Sequence, residues 1–185
     1  MGEEKVRKYE SKERLEELDP RNTLKRLGFK EGSVLCDIGA GTGIFSFPAA
    51  EISQNDIYAL DVSDSMLELL EERKKSRGVS NLKIRKVENN ILPIADNTCD
   101  LAIMITVLHH VENKQLMFSE IERVLKPGGK LTIVEFYKKD AEMGPPKDIR
   151  ISEDELVEIG RKNGLEVVGE YSFGENFYSK TFKFI

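Results

Sequence analysis

Ser33-Val-Leu-Cys-Asp-Ile-Gly-Ala-Gly-Thr-Gly43 is the stretch on which the fold turns. A short apolar run with branched side chains leads into three glycines within five positions, at 39, 41 and 43. That pattern is a buried strand running into a tight turn. Glycine lets backbone approach a ligand closely, and a helix opening there presents free N–H groups.

Outward from this stretch the same alternation repeats. Ile44 to Ile52 is apolar on most sides and helical in pattern, with Pro48 placed near the start, where backbone donors are still free. Asp56 to Val62 is a strand. Ser63 can cap a helix that puts Met66, Leu67 and Leu70 on one face, and Gly78 ends it. Leu82 to Val87 and Cys99 to Thr106 are strands. A helix with Met117, Ile121 and Val124 at helical spacing follows, stopped by Lys126-Pro-Gly-Gly129 before a strand from Lys130 to Tyr137. Ser152-Glu-Asp-Glu155 is a capping box opening a helix that ends at Asn163-Gly164. Leu165 to Phe173 and Phe177 to Ile185 are joined by Gly174-Glu-Asn176, short enough for an antiparallel hairpin that Tyr171, Phe173, Phe177, Tyr178, Phe182 and Phe184 are expected to pack. On the N-terminal side, Glu10 to Leu27 reads as amphipathic helix interrupted at Asp19-Pro20. The expected fold is therefore α/β, a three-layer Rossmann-like arrangement with a mostly parallel sheet and an antiparallel C-terminal strand. One domain is expected over 1–185, with 1–30 a helical cap and 31–185 the cofactor-binding core.

Composition narrows the partners. Twenty-eight basic and 33 acidic residues give a net charge of −5, which offers no broad basic field for long nucleic acid. A small-molecule substrate is expected. The start Met-Gly-Glu-Glu-Lys carries no apolar leader, and no run approaches a membrane span, so a cytoplasmic location is expected. Cys36 and Cys99 each sit in an apolar run and read as small core residues.

In open sheets of this class, ligands bind beyond the C-terminal strand ends. Asp61 ends the second strand, 22 residues beyond Gly39, where an acid can accept both ribose hydroxyls. A dinucleotide fingerprint would need its third glycine at position 44, which is Ile. Asp37, just before the glycines, suits a cationic amino-acid group better than a pyrophosphate.

Five motifs then carry a resemblance. Val34-Leu-Cys-Asp-Ile-Gly-Ala-Gly-Thr-Gly43 resembles motif I of the class I methyltransferases, and Tyr58-Ala-Leu-Asp-Val-Ser63 their second-strand motif. Leu92-Pro-Ile-Ala-Asp-Asn-Thr-Cys-Asp100 is similar to the family's L-P-F-x-D-x-x-F-D, with Ile94 and Cys99 in place of its phenylalanines. Val107-Leu-His-His-Val111 and Leu125-Lys-Pro-Gly-Gly-Lys-Leu131 match two further motifs. Among subfamilies the chain most resembles the small proteins grouped with the ubiquinone/menaquinone biosynthesis methyltransferases. The resemblance implies seven strands and S-adenosyl-L-methionine as cofactor, with S-adenosyl-L-homocysteine as product. It implies that Gly39, Ala40, Gly41 and Gly43 surround the methionine part and that Asp37 holds its amino group. Asp61 would take the ribose hydroxyls, with Val62 and Met66 beside the adenine. Glu88 and the Asn89 backbone would meet the adenine edge, and Thr106 would complete the cofactor site.

Methyl transfer from a sulfonium is an in-line displacement, so holding the reactants in line is the main task, worth ~7–11 kcal/mol. A base is needed only where the nucleophile must lose a proton. His109 and His110, the only histidines, follow the fourth strand and are the catalytic candidates. No metal is expected from two adjacent histidines. The stretch from Lys138 to Arg150, with Met143-Gly-Pro-Pro146, reads as a cover over the acceptor, hinged at Gly144, together with the segment before Pro20. Two alternatives compete: a nicotinamide dehydrogenase, which the glycine spacing disfavours, and a non-catalytic S-adenosylmethionine-binding regulator or partner subunit.

Overall fold

Apolar side chains alternate across the sheet strands, and that alternation decides the layers. In the computed structural model, which describes residues 2–185, β1 (Leu35–Ile38), β2 (Ile57–Asp61), β3 (Leu82–Lys86), β4 (Cys99–Ile105) and β5 (Leu125–Phe136) run parallel. β6 (Leu165–Phe173) and β7 (Phe177–Phe184) close the chain as a hairpin, with β7 antiparallel to both β5 and β6. Among the described residues the seven strands form one sheet in the order β3-β2-β1-β4-β5-β7-β6. Successive strand residues face opposite sides. Cys36, Ile38, Ala102, Met104 and Ile133 therefore enter one core, and Leu35, Leu101, Ile103, Ile105 and Val134 the other.

Helices cover both faces. α6 (Lys114–Val124) sends Met117, Phe118, Ile121 and Val124 into the first core, joined by Leu156 of α7 (Glu153–Lys162). α3 (Pro20–Arg26), α4 (Ser46–Ile52) and α5 (Asp64–Arg77) contribute Leu24, Phe47 and Leu70 to the second. Burying one such side chain contributes ~1.5–3 kcal/mol. α1 (Gly2–Tyr9) and α2 (Lys12–Leu18) precede them, and Asp19, at φ 37°, separates α2 from α3. Met1 of the expected cap lies outside the described residues. No helix among the described residues is long and apolar enough to cross a membrane.

Most local expectations hold. Pro48 is third in α4, Gly78 caps α5 at φ 64°, and the capping box at Ser152 and Glu155 is complete. Cys36 and Cys99 are both buried. Three details differ. Ser63 stands at the start of α5, but its hydroxyl makes no cap bond and pairs with Ser65 instead. The Asp61 carboxylate already accepts from the Ser63 N–H at 2.9 Å. Lys126 to Gly129 does not precede the fifth strand but lies within it. Leu125 pairs with Cys99, the intervening residues break the register, and pairing resumes at Leu101 with Lys130. In the hairpin, Phe173, Phe177, Tyr178 and Phe182 pack inward as expected, whereas Tyr171 is 45% exposed under the Arg26 guanidinium.

β1 has β2 on one side and β4 on the other, so the chain leaves it at a topological switch point. Crevices open beyond the C-terminal strand ends at such points.

Candidate cofactor and acceptor site

The loop leaving β1 is shaped by backbone bonds to β2. The N–H groups of Gly39 and Ala40 both donate to the Leu60 carbonyl at 2.8 Å. Gly41 N–H donates to Asp61 Oδ2 at 2.8 Å. Gly39 adopts φ 74°, and a Cβ there would run into the Val107 side chain beyond β4. Only glycine lets these two strand ends lie together. Gly41, at φ 54°, would meet nothing nearer than 3.9 Å, which leaves its face open as a cradle.

A cavity of about 610 Å³ opens there. It brings together Asp37, Gly39, Ala40 and Gly41 with Asp61, Val62 and Met66. Thr106, His109 and His110, which follow β4, line it as well. Gly43, Glu88 and Asn89 are not among its lining residues. Gly43 is glycine for packing, because a Cβ would lie 2.7 Å from the Phe47 ring and 2.8 Å from Leu70. Glu88 is exposed in a turn bridged to Ile91, with Asn89 at φ 53°. The donor set fits the expected cofactor. Two buried carboxylates stand beside an open glycine cradle, suiting a cation and vicinal hydroxyls. Each Asp61 oxygen accepts one backbone N–H and keeps a lone pair for another donor.

Burial sets the electrostatics. Asp37 is pushed up to about 7 by burial, with Asp61 adding to the rise and the Ser46 hydroxyl, donating at 2.5 Å, opposing it. His109 Nδ1 lies 2.7 Å from Glu135 Oε2, and both side chains are almost fully buried. The His109 backbone N–H also donates to Glu135, at 3.3 Å. His110 stacks tilted on His109 with ring centroids 4.1 Å apart. Burial and the neighbouring His109 lower its pKa. Thr106 adopts φ 56°, a strained backbone for a β-branched residue, of the kind that collects at functional sites.

Two residues of the site were missed by sequence reasoning. Glu135 sits in an apolar strand, Thr132-Ile-Val-Glu-Phe136, and a lone buried acid there was the available signal. Arg14, from α2, lines the cavity although it stands among charged residues that read as a solvated helix face.

The stretch after β5 does reach the site, through Met143, Gly144, Pro145, Pro146 and Ile149. Lys8 and Tyr9 of α1 also line the cavity. Arg150 ties the loop on both sides of Gly144. The buried Arg150 guanidinium donates to the carbonyls of Pro145, Tyr137, Lys139 and Met143 at 2.8–3.1 Å. Gly144 is needed for close packing, since a Cβ would lie 2.8 Å from the Phe136 ring.

Asp61 supports both the loop and any hydroxyl ligand, so Asp61→Asn is expected to weaken S-adenosylhomocysteine binding about ten-fold, at the low end of ~1.5–3 kcal/mol for one charged hydrogen bond. Calorimetric titration of the folded variant checks this, and unchanged affinity would remove Asp61 from the site.

The sequence matches the methyltransferase domain family over residues 36–133. The ubiquinone/menaquinone biosynthesis C-methyltransferase UbiE of Marinomonas sp. (strain MWYL1) is 31% identical over 126 residues, covering 66% of this chain and 50% of that protein. The protein of the same description from Cellvibrio japonicus (strain Ueda107) is 33% identical over 126 residues, covering 66% and 51%. The chain thus spans about half the length of the curated relatives it matches. A solved S-adenosylmethionine-dependent methyltransferase from Aquifex aeolicus superposes with a TM-score of 0.91 at 28% identity, covering 98% of each chain.

Proposed function

The chain belongs to the methyltransferase domain family, as a class I S-adenosylmethionine-dependent methyltransferase, and from that premise we propose that it methylates a ring carbon of a small aromatic acceptor carrying an ionisable hydroxyl, of the quinol kind. The observation that carries this reading is the Glu135–His109 pair at the cavity wall. A ring carbon becomes a good nucleophile when the neighbouring hydroxyl gives up its proton, and the pair supplies a base for that. The names of the relatives point to carbon methylation of a quinone precursor. Apolar walls from Ile105, Val107, Phe136 and Pro146 suit a flat ring.

When bound, the cofactor supplies an electrophilic methyl on a sulfonium. Asp37 and Asp61 would hold its ammonium and ribose ends. In the tautomer that donates from Nδ1 to Glu135, Nε2 of the neutral ring would be the free acceptor. Nε2 takes the hydroxyl proton, and Glu135 stabilises the imidazolium formed. The ring carbon, made nucleophilic by the ionised hydroxyl, would then take the methyl as its bond to sulfur breaks and leaves a thioether. The methylated carbon would then release its own proton to water as the ring is restored, and the His109 imidazolium would return its proton to the ring oxygen. The stretch 138–150 and the helices before Pro20 would cover the acceptor and exclude water.

Incubation with methyl-labelled S-adenosylmethionine and demethylmenaquinol is the test. Label is expected in an extractable, base-stable carbon-methyl product. Label confined to protein or nucleic acid, or none despite cofactor binding, would overturn the acceptor reading.

A further inference from the structure

We propose that Arg14 is the anion receptor of this cavity and takes an ionised oxygen, carboxylate or phenolate, of a bound ligand. The inference rests on the cavity being the cofactor and acceptor site, as proposed above. Arg14 is 6% exposed and lines that cavity. Its Nη2 donates to Thr106 Oγ1 at 2.9 Å. Its Nε is buried without a hydrogen-bond partner. The guanidinium carbon lies 5.6 and 5.2 Å from the ring centroids of Phe136 and Phe177. Among the described residues no carboxylate stands within salt-bridge distance of it. Glu135 raises its proton affinity only through space, being committed to the His109 ring and backbone.

A buried guanidinium has a large desolvation cost, normally offset by a carboxylate and a full set of hydrogen bonds. Here the cation is met at contact by one neutral hydroxyl and two ring faces, with Tyr9 and Glu135 acting on it only through space. Burial pulls its pKa down to about 10, so it stays charged at neutral pH. A methionine would fill the same slot between the phenylalanines without desolvating a charge. What a methionine cannot do is meet an anion. Thr106, held in its left-handed conformation, keeps its hydroxyl against this guanidinium. Arg14 lies over the ends of β4, β5 and β7, whereas Asp61 ends β2. An anion placed here is therefore remote from the ribose end. Two sources present that chemistry: the methionyl carboxylate of the cofactor, and an ionised oxygen on the acceptor.

The experiment compares wild type, Arg14→Met and Arg14→Lys. Three probes are titrated by calorimetry: S-adenosylhomocysteine, 5′-methylthioadenosine, which lacks the amino-acid end, and benzoate, added to the protein alone and with methylthioadenosine. Loss of at least ten-fold for S-adenosylhomocysteine in Arg14→Met, with methylthioadenosine unchanged and Arg14→Lys intermediate, supports the inference with the cofactor as source. Unchanged nucleoside binding with at least ten-fold loss for benzoate supports it with the acceptor as source. The ligand-free Arg14→Met protein is expected to melt within a few degrees of wild type, which a merely structural arginine would not allow. If no probe separates Arg14→Met from wild type, including the case where wild type ignores benzoate, the inference is overturned. Wild-type binding of methylthioadenosine tests the cofactor reading independently.

Discussion

Turnover is expected to fall by roughly 10²–10⁴-fold when His109 is replaced by Ala, the range lost with a positioned general base. Cofactor affinity should stay within about two-fold of wild type, because His109 follows β4, whereas the carboxylates that would grip the cofactor stand on β1 and β2. Glu135→Gln is the companion change. It keeps the shape and a hydrogen-bond acceptor for Nδ1, but removes the charge that stabilises an imidazolium. Its loss in kcat should approach that of His109→Ala, and the double variant should be little worse than either alone, as expected of groups that act as a unit. The alternative is that Glu135 serves only to satisfy two buried donors, the His109 ring and its backbone N–H. Thermal unfolding of each variant separates these readings. Turnover within about three-fold of wild type in folded His109→Ala would make the pair a packing device and return base chemistry to the solvent.

The layered fold was legible because its signals are local and repeated. Cys99 to Ile105 is apolar at nearly every position, as a central parallel strand buried on both faces must be. The hairpin was legible from Gly174-Glu-Asn176 between two aromatic-rich runs. Lys126 to Gly129 misled because Pro and two glycines normally mark a boundary. Strand pairing of Leu125 with Cys99 lets the chain bulge there and rejoin the sheet, a tertiary effect that no local propensity carries.

For the site, the glycine loop and both acids were legible because their spacing along the chain mirrors their place at neighbouring strand ends. Arg14 was not. In Ser11-Lys-Glu-Arg-Leu-Glu-Glu-Leu18 it is one charge among five, and nothing local distinguishes it from Lys12, whose side chain is 88% exposed. What buries Arg14 is Phe136 and Phe177, more than 120 residues away in sequence. Arg150 was hidden for the same reason, since its four acceptors are backbone carbonyls and leave no side-chain pattern. Glycine itself was legible, but its reasons were not separable. Gly39 and Gly43 both take positive φ, yet one clears Val107 at the cavity rim and the other clears Phe47 and Leu70 within the core.

Cofactor affinity is expected to tighten about ten-fold per pH unit as pH rises toward about 7, and then to level off. The cause is Asp37, whose buried carboxyl in the free protein titrates at about 7 rather than near 3.8. Below that value the free protein holds it neutral. A cationic amino-acid group placed against it favours the ionised form, so binding must release a proton. From pH 5.5 to 7 the gain is then roughly fifteen-fold, because the carboxyl is half ionised at pH 7, each ten-fold step in affinity corresponding to ~1.36 kcal/mol. The limb ends before the ligand's own amino group titrates, near ~7.7–8.0 for an ordinary α-amine. Stability without ligand runs the opposite way. Between the unfolded and folded pKa values the folded protein binds the extra proton, so the stability present below about pH 4 is lost as pH rises through about 7. The loss is on the order of 4 kcal/mol for a carboxyl raised this far. Asp37→Asn should therefore raise the melting temperature of the free protein at pH 8 and change it little at pH 4. It should also flatten the pH dependence of S-adenosylmethionine binding and abolish proton release at pH 6, measured by calorimetry in buffers of different ionisation enthalpy. Affinity that stays flat from pH 5.5 to 7 in wild type would place the cation away from Asp37 and leave that carboxyl with only its Ser46 contact.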